Sequence, residues 1–245
     1  MFVPKETEEA LDEEELLFRA SLSASPSLAF DIDETLSWTI GWWLERLQTL
    51  FGNPEGLSTV EMEKKYKLAQ YVPYWQTPEA HAWMEKHRTD NGVQLELPLI
   101  AGAVDGVSEL FRGGEAAAVP LAGYITVRPR GVKAGTVAWL AEKGFPALPV
   151  LTKPDAVPFA EGNAWKGRAL GRLWPQISGI VDDNPKVLAG LPPNYPGVLF
   201  LFGHHDDPAA LMASRPDVKV VHCPTWPSVV AAVRAHRASG AELAL

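Results

Sequence analysis

Cysteine is nearly absent from this 245-residue chain, and the single Cys223 excludes an intramolecular disulfide and any zinc site built from several thiolates. Long apolar runs are missing as well. Although 47% of the residues are hydrophobic, no stretch approaches the length of a membrane span, and no membrane association is expected. Nor is there a run of lysine and arginine; the formal charge is −8, and the nearest basic cluster, Lys86, His87 and Arg88, reads as a solvated helix end. Such a chain has little with which to neutralise a phosphate backbone, so a nucleic-acid polymer is not an expected partner, while a nucleotide stays open as a small substrate. Neither Gly-x-x-x-x-Gly-Lys nor Gly-x-Gly-x-x-Gly occurs, which argues against a nucleoside triphosphatase of that type and against a nicotinamide enzyme. The acidic N-terminus has no basic segment followed by an apolar one, and a cytoplasmic location is expected.

Residues 1–20 form an acidic arm, helical over 5–20, whose glutamates read as a solvated helix face; "SLSASPS" then breaks the pattern. The apolar run "SLAFDI" predicts a first buried strand that stops at carboxylates. From 37 to 98 the spacing becomes helical in "TIGWWLERLQTLFG", "STVEMEKKYKLAQYV" and "TPEAHAWMEKHR", the last with Thr77 as N-cap and Pro78 at the first helical position. This segment reads as an insertion, with Trp38, Trp42, Trp43, Trp75 and Trp83 expected mainly in its own core. Beyond Pro98, the strands "PLAGYIT", "ALPVLT", "ISGIVDD", "GVLFLFG" and "VKVVHC" alternate with amphipathic helices. Alternation of this kind implies right-handed crossovers and a parallel sheet covered on both faces. The expected fold is therefore α/β, a Rossmann-like three-layer core over 21–36 and 99–245, interrupted by the helical insertion.

In an open parallel sheet, ligands sit outside the carboxyl ends of the strands. Asp31 and Asp33 end the first strand, Thr126 ends "PLAGYIT", and Asp182 and Asp183 end "ISGIVDD", while Lys166 starts the helix leading into that last strand. Four carboxylates, a hydroxyl and an ammonium converge on one rim. Neighbouring carboxylates disfavour each other's ionised forms, so a divalent cation is the natural counter-charge, and an oxygen-only ligand set points to Mg²⁺.

These residues resemble the haloacid dehalogenase (HAD) superfamily of phosphotransferases. The matching motifs are "DIDET", "YITVRP" with Thr126, Lys166 in "WKGRAL", and "VDDNP", in family order, and the insertion after the first motif looks like a helical C1 cap. The resemblance implies that Asp31 is a nucleophile forming an aspartyl-phosphate, and that Asp33 protonates the leaving oxygen and then activates water. Thr126 and Lys166 are then substrate contacts that hold phosphoryl oxygens and charge. Asp31, the Asp33 carbonyl and Asp183 are implied Mg²⁺ ligands, with Asp182 a ligand or an orienting group. The second aspartate is similar to that of phosphatases rather than of dehalogenases proper, because a halide leaves without a proton.

The implied activity is Mg²⁺-dependent hydrolysis of a small soluble phosphomonoester. Two alternatives are carried with it: transfer of the phosphoryl group to an acceptor other than water, and phospholigand binding without turnover. Lys153 in "VLTKPD" competes with Lys166 for the third motif. Arg128 follows Thr126 closely enough to touch substrate phosphate or to pair with a carboxylate. The "FGHHDDP" stretch, with His204, His205, Asp206 and Asp207 and the nearby His222 and Cys223, matches no zinc spacing and reads as a loop beside the acidic pair.

Overall fold

The computed structural model describes residues 11–113 and 118–238, so the first ten residues of the expected arm and the second closing glycine, Gly114, lie outside the described residues. Six strands form one parallel sheet: β1 (Ser27–Phe30), β2 (Leu121–Pro129), β3 (Val150–Lys153), β4 (Ile177–Asp182), β5 (Val198–Phe202) and β6 (Lys219–Cys223). Their order is β3-β2-β1-β4-β5-β6. The chain builds outward from β1 to β3 and then crosses back to lay β4 on the other side of β1. The carboxyl ends of β1 and β4 thus meet where the winding reverses, which is where such sheets open a crevice.

Alternation along the strands divides the interior into two layers. Leu28 and Phe30 of β1 and Tyr124 of β2 pack with α6 (Ala103–Arg112), α7 (Lys133–Glu142) and α10 (Trp226–Ala238). Ala29, Ile125, Leu151, Ile180 and Leu199 face the other way, against α1 (Glu13–Ser21), α8 (Gly162–Arg172) and the 3₁₀ turn Pro185–Gly190. This is the expected α/β three-layer arrangement. No helix among the described residues is long and apolar enough to cross a membrane.

Between β1 and α6 the chain forms α2 (Thr39–Phe51), α3 (Thr59–Tyr66), α4 (Pro78–Arg88) and α5 (Asn91–Glu96). Ser58 and Thr77 cap α3 and α4 by accepting the amides of Glu61 and Ala80. Ile40, Leu44, Leu47, Met62, Val72, Trp75, Ala80 and Met84 give the segment a core of its own. The tryptophans divide: Trp75 lies inside that core, Trp42 packs into the sheet-side layer, and Trp43 and Trp83 touch both. The amphipathic α2 has two apolar neighbours, and its tryptophans fill the seam between them.

Other departures from the sequence reading are local. β2 continues three residues past Thr126, and Lys166 occupies the fifth position of α8 rather than its start. A short helix, α9 (Pro208–Ser214), follows the histidine loop, capped by Asp207 through the Ala210 amide. The arm's acidic residues need correction. Asp12 pairs with Arg130, Glu14 with Arg130 and Lys133, and the buried Glu15 with Arg172, so the described end of the arm is docked rather than solvated. Glu14 Oε1 also accepts the amide and hydroxyl of Thr152 in β3. Basic partners from distant parts of the chain turn a glutamate-rich helix face into a contact surface, and Phe18 on the same helix is buried.

Candidate active site

β1 delivers Asp31 to the rim, its amide bonded to the Val181 carbonyl of β4 at 2.9 Å. The chain then turns tightly: the amides of Leu36 and Ser37 both return to the Ile32 carbonyl, at 2.8 and 2.9 Å. Glu34 takes a left-handed conformation in this turn (φ 57°), fixed by its amide on the Ser37 carbonyl and its carboxylate on the Ile40 amide at the start of α2. Burial pushes the Glu34 carboxyl well above its ordinary range, more than the Ile40 amide offsets, and Glu63, Asp33 and Asp31 add to the rise.

Lys166 reaches this rim from α8, fully buried, with Nζ 2.7 Å from Asp31 Oδ1 and 2.8 Å from Asp182 Oδ2. Its depth is set by backbone packing. A Cβ on the neighbouring Gly167 would fall 2.3 Å from the Val187 carbonyl oxygen, and one on Gly190 would fall 1.9 Å from that of Ala164. Only glycines let α8 and the Pro185–Gly190 turn touch backbone to backbone. Asp182 Oδ1 accepts the Asn184 amide at 2.8 Å, so both of its oxygens are engaged. Thr35 joins the two acidic loops, receiving the Asp183 amide at 3.1 Å and lying 3.4 Å from Asp183 Oδ1.

Asp33 stands in a second cluster. Arg128 Nε lies 3.1 Å from each of its oxygens and Nη2 lies 2.8 Å from Oδ1. Thr39 donates to Oδ1 at 2.5 Å, and Thr126 is 3.4 Å from Oδ2. Burial alone would raise the Asp33 carboxyl, but the charge and hydrogen bonds of Arg128, with Thr39, hold it below the ordinary value. Lys153 lies elsewhere, its ammonium on the carbonyls of Pro154 and Val157 at 3.0 and 2.5 Å. His205 and His222 are bonded to the carbonyls of Phe202 and Gly203, and His204 is exposed. The roles of Thr35, Ser37, Thr39 and Thr136 escaped the sequence reading; only Thr35, inside "DIDET", carried a signal.

One oxygen from each of Asp31, Asp182 and Asp183 lies within 4.8 Å of the others. Burial pushes the Asp31 carboxyl up to about 7 despite Lys166, with Asp182 and Asp33 adding to the rise. Asp183 is raised well above its ordinary value by burial and by Asp182 and Asp31. Asp31 Oδ1 is buried with no hydrogen-bond partner besides its ionic contact to Lys166. A single ammonium leaves this cluster short of positive charge. An all-oxygen set with raised carboxyls and one ammonium shared between two of its three acids fits a hard divalent cation.

Neither family models nor curated protein sequences match the chain. Solved structures do. A dehalogenase with intermediate complex aligns over 87% of this chain and 99% of its own, with a TM-score of 0.50 and 12% identity. The chain shares the fold of that dehalogenase. A HAD family hydrolase from Deinococcus radiodurans R1 aligns over 89% of this chain and 97% of its own at 18% identity, with a TM-score of 0.46. Cytosolic 5'-nucleotidase IIIB aligns over 92% and 90% at 13% identity, with a TM-score of 0.41. On this shared scaffold, the Asp31, Lys166 and Asp182 contacts stand at the ends of β1 and β4, the crevice described above.

Proposed function

We propose that the chain is a Mg²⁺-dependent phosphomonoester hydrolase working through an aspartyl-phosphate on Asp31. The observation that carries this reading is the buried Lys166 ammonium placed between Asp31 and Asp182, 2.7 and 2.8 Å away, beside a cluster still rich in negative charge. Asp31 attacks phosphorus with one carboxylate oxygen; the bond from phosphorus to the ester oxygen breaks, and that oxygen takes a proton that enters on the ester monoanion and is relayed by Asp33, which Arg128 keeps ionised at rest. Water then gives a proton to Asp33 and attacks phosphorus, the bond to Asp31 breaks, and inorganic phosphate leaves with the carboxylate restored. Thr126 donates a hydrogen bond to a phosphoryl oxygen, and Lys166 holds Asp31 in place and offsets charge as the phosphoryl group is transferred. Asp31, Asp183 and the Asp33 carbonyl would hold Mg²⁺, with Asp182 oriented beside them, and the ion would supply charge neutralisation for the phosphoryl oxygens.

The segment 37–98 serves in this reading as a cap over the crevice, which favours a small soluble substrate in the cytoplasm over a phosphoprotein. The test is phosphate release from a panel of small phosphomonoesters. Turnover is expected with Mg²⁺, abolished by EDTA and restored by the metal, and reduced at least roughly 10³-fold in Asp31→Asn. Turnover that survives Asp31→Asn, or none on any ester, defeats the proposal.

A further inference from the structure

Arg128 is spent inside the protein. Its side chain is 5% exposed, and each guanidinium nitrogen has a partner: Nε and Nη2 on Asp33, Nη2 also on Ser37 Oγ at 3.0 Å, and Nη1 on Thr136 Oγ1 at 3.3 Å. The Trp139 ring lies against it, 5.8 Å from the guanidinium carbon to the ring centroid. With four of its five N–H groups engaged and the side chain 5% exposed, it has little left to offer a phosphate. What it touches is the carboxylate proposed to move the proton, and it treats the two oxygens unequally. Oδ1 receives Nη2 at 2.8 Å, Nε at 3.1 Å and the Thr39 hydroxyl at 2.5 Å. Oδ2 receives only Nε at 3.1 Å and, on the side of Thr126, a hydroxyl at 3.4 Å.

Building on the phosphatase reading, we propose that Arg128 is a positioning residue that occupies Oδ1 of Asp33 and so presents Oδ2, on the Thr126 side, as the oxygen that exchanges a proton with the leaving group and with water. A planar guanidinium fixes a carboxylate plane as a lysine ammonium does not, since its fork engages both oxygens in one orientation. Arg128 therefore acts on the proton-transfer steps through Asp33 and not on phosphate affinity.

The experiment compares the wild-type chain with Arg128→Lys and Arg128→Met on an alkyl phosphate, whose leaving oxygen needs a proton, and on p-nitrophenyl phosphate, whose leaving group scarcely does. The expected result is a rise of roughly tenfold or more in the ratio of nitrophenyl to alkyl ester cleavage rates in single turnovers, with Lys no better than partial rescue. The inhibition constant of inorganic phosphate should stay within about threefold. A ratio that does not move overturns the proposal, since a merely structural ion pair would slow both esters alike. A tenfold weaker phosphate inhibition also overturns it and makes Arg128 a substrate contact. Absence of turnover in the wild-type chain is a different failure, removing the phosphatase reading and this role together.

Discussion

Three carboxylates gather at two places in this molecule, and the two gatherings differ in what comes with them. At the docked arm, Asp12, Glu14 and Glu15 meet Arg130, Lys133 and Arg172, one cation for each acid. At the ends of β1 and β4, Asp31, Asp182 and Asp183 gather around one ammonium, Lys166, which contacts only the first two. The carboxyl groups respond oppositely. Burial would raise Glu14, yet Lys133 and Thr152 bring it below its ordinary value, whereas Asp31 and Asp183 rise. Balanced charge fastens one element to another; unbalanced charge stores a demand that a ligand can meet.

Removing the shared cation is the strongest way to break this contrast. Lys166→Met, in EDTA near neutral pH, should cost about 3–5 kcal/mol in denaturant unfolding, because it strands buried carboxylates, and added Mg²⁺ should recover part of the loss. A loss no larger than that of a surface substitution would mean the cluster is not short of positive charge. The second test removes an acid from the surplus. Asp31→Asn should raise metal-free stability by about 1–2 kcal/mol above pH 7. The sign follows from the raised carboxyl: the folded chain holds this proton more tightly than the unfolded one, so ionising Asp31 lowers stability as pH climbs from about 4 to about 7. Below pH 4 the gain should vanish, and a gain independent of pH would refute the assignment.

The smallest effect is expected at the balanced cluster. Glu14→Gln should cost about 1 kcal/mol and loosen α1, seen as faster amide exchange over Glu13–Ser21. Here the carboxyl is depressed, so its contribution is present above about pH 4.5 and fades as the pH falls through the lower folded value. Exchange in α1 that ignores both acid and the substitution would show that Phe18, rather than charge, holds the helix.

The sheet was legible because buried parallel strands read as apolar runs bounded by turn residues, and Asp31, Asp182 and Asp183 were legible because each interrupts or follows such a run. Lys166 could be weighed against Lys153 only by its distance from the acidic strand; the contact itself depends on how deeply α8 settles. Arg128 was seen as a residue but not as a partner of Asp33, since the pairing joins positions 95 residues apart and depends on the turn after β1. The docked arm was misjudged for a related reason. Local composition reports that a helix is acidic, while the cations that bury it arrive from the 3₁₀ turn after β2 (Arg130–Val132), from α7 and from α8.

The glycine seam between α8 and the Pro185–Gly190 turn sets where tolerance lies in this crevice. Backbones in direct contact cannot slide or roll independently, so a fluctuation that carries Lys166 also carries the loop that follows Asp182 and Asp183. The gap between ammonium and acidic pair is gauged by that backbone contact, whereas the gap to Asp31 is gauged by the pairing of β1 with β4 and by the Thr35 bridge. Alignment at this rim therefore rests on two gauges, one of backbone contact and one of strand pairing, and they meet at Lys166.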